Sequence, residues 1–302
     1  MIVLDAVAAR RAPLSLAKLS CSWGPGAHAV VGTRADGGPL LLELVAGRAR
    51  LRSGRLEVLG GTPHDDDVRT RTAFVPLEPT LPEAMRVRDV MALAAELRGE
   101  PVRDAAPRLA ALGVEALGPR RVESLSPEEM HAVALAEALT AARVQVLLLV
   151  EPLMDLDPRA AALVAPLVRA RASEGCAVLV ATASLRDASE LADDHVLLRG
   201  GAVVRSGASP ADLVSLAPTG AKVRVVASDP QALLAAAAND PAIEAIARRD
   251  AAVVARGSAV LAVAAAMGRA ITASGVRVVE MALEPPSPEE LRAPPARPER
   301  AP

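Results

Sequence analysis

The chain has 302 residues, of which 51% are hydrophobic, and a formal net charge of −2 at pH 7. A chain of this length can form one large domain and a small one, with enough apolar residues for a sizeable core. The nearly neutral charge and the presence of only two aromatic residues, Trp23 and Phe74, argue against a nucleic-acid-binding surface and exclude an extended base-stacking platform.

The first predicted elements surround a glycine-rich loop. Residues 2–16 alternate weakly between apolar and polar, which predicts edge strands. Residues 27–32 predict a short strand, and residues 40–45 predict a helix. The loop between them contains Gly32 and Gly37 and reads GTRADGGP. This arrangement matches the strand, loop and helix frame of a P-loop, GxxxxGK[ST].

The loop keeps this frame but not its reactive residues. Gly38 stands where a lysine would contact the β- and γ-phosphates, and Pro39 stands where a hydroxyl would hold Mg²⁺. Pro39 also lacks a backbone N–H for the phosphate cradle, and Asp36 adds a negative charge that would repel phosphate. Arg34 and the helix N-terminus could offset these losses. The frame therefore allows ATP with Mg²⁺ as a ligand, whereas the residues in it favour a purely structural turn.

The next part of the chain predicts two more strands and two helices. Residues 50–58 and 71–75 have the composition of strands. Residues 64–67 read HDDD, which could suggest a metal site, but a charged run in a loop is usually solvated, and no metal site is predicted. Residues 87–99 and 102–112 predict amphipathic helices separated by a Gly-Glu-Pro turn.

A capped helix followed by a buried strand is the clearest pattern in the chain. Ser126 is a good N-cap residue, Pro127 suits the first helical position, and Glu129 completes a capping box. Apolar residues then recur at helical spacing. Residues 144–150 form an apolar run interrupted only by Gln145, as expected for a central strand covered on both faces. Glu151 follows at the carboxyl end of this strand, where sites in open α/β sheets usually lie.

Alternating helices and strands continue after this stretch. Residues 160–174 predict a helix that Pro166 kinks, residues 176–182 predict a buried strand, and residues 185–192 predict a short helix. A hairpin-like pair of strands follows around residues 199–201.

From residue 221 onward the predicted order of elements is βαββαβ, which is typical of a small ferredoxin-like domain. Residues 285–302 are rich in Pro, Glu and Arg and predict a disordered tail. We therefore place a large domain at residues 1–218, with a helical subdomain at about residues 80–140, and a small domain at residues 219–284.

The remaining features favour a protein of the reducing cytoplasm. Cys21 and Cys176 are far apart and unaccompanied, which favours buried thiols over a disulfide or a zinc site. Asp5 and Arg10 interrupt the N-terminal apolar residues, so no secretory signal is predicted. The longest uncharged apolar stretch, residues 257–268, is too short to span a bilayer. Any association with a membrane is expected to come through a partner.

In order and spacing, these segments resemble the motifs of the ATP-binding subunits of ABC transporters. Residues 125–129 stand at the signature LSGGQ, residues 150–152 at the end of the Walker B strand, and residues 154–158 at the D-loop. Residues 74–79 resemble the Q-loop segment. The resemblance implies an α/β, P-loop NTPase-like ABC ATPase fold with an inserted helical subdomain. Residues 219–284 look like the C-terminal extension found on subunits that serve ABC-2-type exporters.

The resemblance also implies which residues would form the nucleotide site. Those carried over from the P-loop, Q-loop, signature, Walker B, D-loop and switch segments are Gly32, Arg34, Asp36, Gly37, Gly38, Pro39, Leu77, Ser126, Glu128, Val150, Asp157 and Ala183. Glu151 stands at the position of the catalytic base. Leu77 replaces the Q-loop Gln, Glu128 replaces a signature glycine, Val150 replaces the Asp associated with magnesium, and Ala183 replaces the switch His.

The chain keeps the order of the family motifs but lacks these polar groups, and this combination allows three hypotheses. The first is a catalytically inactive subunit, a pseudo-ATPase, that acts as scaffold or regulator on an ABC-2-type membrane permease. An ATP-binding subunit could be its homo- or heterodimer partner. The second is a divergent ATP-hydrolysing subunit that powers export, in which Arg34 or a partner's residue replaces the lost lysine. A third is a decaying paralogue without a transporter. For a subunit, the resemblance implies a peripheral location on the cytoplasmic face of the inner membrane, with partner contacts at residues 87–97.

Overall fold

The computed structural model describes residues 1–101, 105–207, 221–257 and 260–284. The chain divides into two compact units, Met1–Gly207 and Ala208–Pro302. The domain boundary predicted between residues 218 and 219 lies outside the described residues, as does the tail predicted at 285–302. In the described part of the chain, no helix is long and apolar enough to cross a membrane.

The first unit combines two sheets with helices. Its strands and α-helices in chain order are β1 (Ile2–Arg11), β2 (Leu14–Trp23), β3 (Gly26–Val31), α1 (Gly38–Val45), β4 (Ser53–Val58), α2 (Asp66–Thr70), β5 (Thr72–Val75), α3 (Val87–Leu97), α4 (Ala106–Ala110), α5 (Pro127–Thr140), β6 (Val146–Val150), α6 (Pro158–Ser173), β7 (Ala177–Thr182), α7 (Leu185–Leu191), β8 (Asp194–Arg199) and β9 (Ala202–Ser206).

A six-stranded sheet positions the candidate site. Its order is β5-β6-β7-β3-β8-β9, and all its pairs are parallel except β8 with β9. β6 and β7 are buried along their whole length, which explains why their sequences are continuous apolar runs rather than alternating ones. The carboxyl ends of β6, β7 and β3 therefore lie side by side at one edge of the sheet.

A smaller antiparallel sheet has the order β2-β1-β4. Its inward side chains share one core with α1 and with one face of the six-stranded sheet. Trp23, at the end of β2, is buried in this core with only 2% of its surface exposed. Residues 2–11 and 14–16 thus belong to two ten-residue strands of this sheet. β2 lies at the edge of the sheet, as predicted, but the prediction of an edge strand is wrong for β1, which is the central strand and pairs with both β2 and β4.

The structure shows why several helices begin where they do. At the start of α5, the Ser126 hydroxyl accepts the N–H of Glu129, and the Glu129 carboxylate accepts the N–H of Ser126, which forms the predicted capping box. The helix predicted at residues 102–112 is shorter than expected, because α4 spans only Ala106–Ala110 and the turn after it contains Gly113 at a positive φ. Residues 102–104 of that prediction lie outside the described residues.

Over residues 221–257 and 260–284, the second unit is a four-stranded antiparallel sheet with two helices. Its elements in chain order are β10 (Ala221–Ala227), α8 (Pro230–Ala237), β11 (Ala245–Arg249), β12 (Ala252–Gly257), α9 (Val260–Ser274) and β13 (Val278–Glu284). The sheet order is β11-β12-β10-β13, and the unit has its own apolar core of strand and helix side chains. This is the βαββαβ order that characterises ferredoxin-like domains.

Candidate functional site

The residues that follow β3 and β6 are hydrogen-bonded to the last residues of β7 at one edge of the sheet. The N–H of Gly32, just after β3, donates to the carbonyl of Thr182 at 3.0 Å. The N–H of Glu151, just after β6, donates to the carbonyl of Ala181 at 2.8 Å. The structure therefore brings the loop of the P-loop frame and the candidate base to adjacent positions around the end of β7, as expected for an open α/β sheet.

Asp36 is turned into the loop and is almost completely buried. Its Oδ2 accepts the N–H of Thr33 at 2.8 Å and the hydroxyl of Thr33 at 2.6 Å. Its Oδ1 accepts the N–H of Gly200 at 3.0 Å, across 164 positions of the chain. Only 8% of Asp36 is exposed. The sequence placed this negative charge inside the loop, but it did not reveal that the chain itself supplies the donors that satisfy it.

The backbone of the loop is also engaged by the chain. Arg34–Asp36 forms a single 3-10 turn, in which the N–H of Asp36 donates to Thr33 and the N–H of Gly37 donates to Arg34. Gly37 and Gly38 are buried, whereas Arg34 is exposed. These donors point into the turn and not toward a ligand.

The Leu16 side chain packs against the loop at Gly37. A Cβ atom placed on Gly37 would lie 2.7 Å from the Leu16 Cδ2, and Gly37 has a φ of +95°. The positive φ favours glycine at this position, and an added Cβ would displace the end of the Leu16 side chain. Pro39 lies in the first turn of α1, where its missing N–H is tolerated by the helix. β2 therefore covers the loop just before α1 begins.

Glu151 is held by the end of the neighbouring strand. Its Oε2 accepts the Thr182 hydroxyl at 2.7 Å, and its Oε1 accepts the N–H of Ala183 at 2.8 Å. Burial raises the pKa of Glu151 above its ordinary value, and these two donors offset only part of that effect. Both carboxylate oxygens of the candidate base are thus already paired within the chain.

Two of the residues carried over from the family motifs contribute no polar side chain here. Val150 is buried within the core that lies between the two sheets, so its side chain serves packing. Ala183 contributes only its backbone N–H. Thr182, which the sequence did not single out, joins the site instead, because its carbonyl accepts Gly32 and its hydroxyl donates to Glu151. A threonine at the end of a buried strand is the one local signal that could have found it.

The signature and D-loop residues act as helix caps. Ser126 forms the cap of α5, and the exposed Glu128 has its pKa lowered by a hydrogen bond with Ser126. Asp157 caps α6, where its Oδ1 accepts the N–H of Arg159 at 2.8 Å. The polar groups retained at these positions are therefore used to start helices.

Helix α5 contacts two of the loops through a buried histidine. His131 is 4% exposed and faces the carbonyl groups of Pro152 and Leu77. Burial lowers the pKa of His131, so the imidazole is neutral near pH 7. Leu77, at the Q-loop position, is a partly buried side chain packed on the core. His131 showed no ligand spacing in the sequence, and only its packing reveals this position.

A cleft of about 870 Å³ lies between the sheet and the helical part of the first unit. Its lining includes Phe74 at the end of β5, Met91 and Leu97 of α3, and Glu137 of α5. Leu97 is 69% exposed, and the Arg48 guanidinium lies 5.3 Å from the centre of the Phe74 ring. The cleft is therefore lined by both apolar and charged groups, and α3, which coincides with the predicted partner segment 87–97, forms part of its wall.

These features define an ABC ATPase fold. A solved structure of the ATP-binding subunit of an ABC transporter superposes with a TM-score of 0.62 at 19% identity, covering 68% of this chain and 89% of that one. The P-loop NTPase-like α/β fold predicted from the sequence is confirmed.

The sequence relatives come from the same class. No protein-family model matches the chain. A Streptomyces avermitilis protein named as an ABC transporter ATP-binding protein is 31% identical over 223 residues, which cover 72% of this chain and 39% of that protein. A molybdenum import ATP-binding protein of Paramagnetospirillum magneticum is 31% identical over 196 residues, covering 62% of this chain and 54% of that protein. The homologues and structural neighbours are thus ABC transporter ATP-binding proteins, and the chain spans only part of the length of the curated relatives it matches.

Proposed function

We propose that this chain is a catalytically inactive, ABC ATP-binding-subunit-like protein, a pseudo-ATPase that serves as scaffold or regulator on a membrane permease. The observation that carries the proposal is the state of the loop after β3. It is buried at Gly37 and Gly38, it is hydrogen-bonded to itself, and it has neither the lysine nor the hydroxyl of a P-loop.

The residues present do not fit ATP with Mg²⁺. A triphosphate in a P-loop needs free backbone N–H groups, a lysine for its β- and γ-phosphates and oxygen ligands for the metal. Gly38 and Pro39 supply neither the cation nor the hydroxyl, and Val150 has no oxygen to offer. We therefore assign no hydrolytic step to this chain, and Glu151 is a vestige of the base.

The cleft beside α3 supports docking to a permease. The exposed Leu97 and the partly buried Phe74 provide apolar contacts for a partner segment, whereas Met91 is buried in the wall of the cleft. We infer that the partner is the transmembrane subunit of a transporter, which would hold this chain on the cytoplasmic face of the membrane. An ATP-binding subunit beside it, as homo- or heterodimer partner, is part of the same proposal.

The type of permease rests on the second unit alone. Its βαββαβ order is the reason to propose an ABC-2-type exporter partner and domain limits of 1–218 and 219–284. The relatives do not favour that choice, because they include proteins named for the import of molybdenum. Co-purification with candidate permeases of both kinds tests it: retention by an importer-type permease only would contradict the exporter assignment.

Two observations support a divergent ATPase as a second candidate. Glu151 is retained at the end of its strand, and the exposed Arg34 provides a cation on the loop. In that case Arg34 would take the role of the lost lysine, and hydrolysis would power transport.

Mg-ATP binding to the purified chain, measured by calorimetry, decides between the two. We expect no binding up to millimolar nucleotide. Micromolar binding that the Arg34→Ala variant abolishes would overturn the pseudo-ATPase and favour the divergent enzyme. Arg34→Ala is a suitable comparison because Arg34 is exposed and its loss leaves the buried part of the loop intact.

A further inference from the structure

We propose that Asp36 is a built-in anion, whose carboxylate occupies a small anion site made by Thr33 and Gly200 and holds the loop closed against the β8–β9 hairpin. The proposal rests on the proposed function, because it requires that the loop does not take ATP. It goes further in stating what occupies the loop and what holds it shut.

Three donors converge on the Asp36 carboxylate. They are the N–H and the hydroxyl of Thr33 and the N–H of Gly200, at 2.6 to 3.0 Å. Among the described residues, no cation pairs with Asp36. A buried carboxylate without a cation needs such donors, and backbone N–H groups that converge on one point are the usual binding arrangement for an oxyanion.

The same residue links three elements that are distant in sequence. The N–H of Gly201 donates to the Asp36 carbonyl at 3.1 Å, and the Gly201 carbonyl accepts the N–H of Ala17 at 2.8 Å. A Cβ on Gly201 would lie only 1.9 Å from the Ser15 carbonyl oxygen, so β2 and the hairpin touch at this point. The loop and the hairpin are therefore joined at Asp36, and the hairpin is joined to β2 at Gly201.

This closure makes the site independent of nucleotide. In a working P-loop the bound phosphate supplies the anion that organises the N–H groups. Here Asp36 provides a covalently attached anion for the N–H groups of Thr33 and Gly200, so the first unit holds this loop in one conformation. A partner that docks on this unit would encounter the same surface at any ATP concentration.

The test removes the built-in anion and offers a free one. Asp36→Ala deletes a carboxylate and leaves its three donors, so formate is the matching probe. We expect Asp36→Ala to lower the Tm by roughly 5 °C, through the loss of buried charge-assisted hydrogen bonds. Formate should then raise the Tm of this variant in a saturable manner, beyond the effect of chloride at equal ionic strength.

Asp65→Ala is the matched control. Asp65 accepts the N–H and the hydroxyl of Thr62 in a turn of the same form, but it is exposed and has no distant donor in the part of the chain that the structure describes. Neither this variant nor the wild type should respond specifically to formate. Equal responses of all three proteins to formate would overturn the proposal.

Asp36→Asn covers the case in which the alanine variant does not fold. The amide has the shape of the carboxylate but can present only one acceptor oxygen, so either Thr33 or Gly200 loses its acceptor. Faster hydrogen exchange at Thr33 or Gly200 is expected, and unchanged exchange at both would overturn the proposal. Mg-ATP binding by the wild type would overturn the proposed function as well, whereas a failed formate response without ATP binding overturns only the built-in anion.

Discussion

Two turns of the first unit have the same local form and different surroundings. Thr33 to Asp36 reads TRAD, and Thr62 to Asp65 reads TPHD. In both, the aspartate N–H donates to the threonine carbonyl, and the aspartate carboxylate accepts the threonine N–H and hydroxyl. A short-range pattern of threonine and aspartate is therefore sufficient to form the turn.

What differs is the environment of each carboxylate. Asp65 is exposed, and the hydrogen bonds from Thr62 lower its pKa. Asp36 is buried and also accepts the N–H of Gly200 from the β8–β9 hairpin. The comparison teaches that the turn is a property of the local sequence, whereas the closed loop is a property of the packing around it.

Of the variants that test this comparison, Gly201→Ala should cause the largest loss of stability. The new Cβ would meet the Ser15 carbonyl oxygen at 1.9 Å, and Gly201 has a φ of +80°, so the hairpin must move away from β2. We expect a loss of about 3 kcal/mol or more in the free energy of unfolding. Urea denaturation of the purified variant measures it.

Gly60→Ala is the control for the backbone effect alone. Gly60 has a φ of +83° just before the exposed turn, and no atom lies within 4 Å of its added Cβ. Its expected cost is about 1 kcal/mol. Equal losses in the two variants would show that the contact of the hairpin with β2 has no energetic weight.

Thr33→Val should have an intermediate effect. Valine keeps the shape of the side chain but removes the hydroxyl that donates to Asp36 at 2.6 Å, which leaves the buried carboxylate with one donor fewer. We expect a loss of about 1–2 kcal/mol in the free energy of unfolding. Thr62→Val, in the exposed turn, should change the midpoint of denaturation much less, since water can replace the hydroxyl there. A larger effect at Thr62 than at Thr33 would contradict the comparison.

Glu151 is a third carboxylate that can be compared with Asp36 and Asp65. Its replacement is expected to have the smallest effect on the free energy of unfolding. Its raised pKa means that the folded state binds its proton more tightly than the unfolded state does. The stability contributed by this proton is fully present below the ordinary pKa of 4.5 and is lost as the pH rises through the raised value.

Glu151→Gln removes this titration and keeps the shape of the side chain. The free energy of unfolding of the wild type should therefore fall relative to that of Glu151→Gln as the pH rises between about 4 and 8. Denaturation curves of both proteins across this range measure the difference. A difference that is flat with pH, or that grows in favour of the wild type, would mean that Glu151 is not penalised by burial.

Much of the molecule could be predicted from short-range patterns. The capping box at Ser126 and Glu129 depends on residues three positions apart, and the structure confirms it. The continuous apolar run that ends at Val150 forms a buried central strand, because only a strand covered on both faces can use it. The order of the motifs was sufficient to predict the ABC ATPase fold, and the neighbouring structures confirm that fold.

The sequence by itself also determined which chemical groups the loop after β3 has: two framing glycines, no lysine, no hydroxyl beside α1, and an aspartate. Only the tertiary structure decided where these groups point. The bond between Gly200 and Asp36 joins residues 164 positions apart, and Thr182 links Gly32 to Glu151 across neighbouring strands. No local preference specifies such contacts, because they arise when separate elements pack around one core and each buried polar group must find a partner.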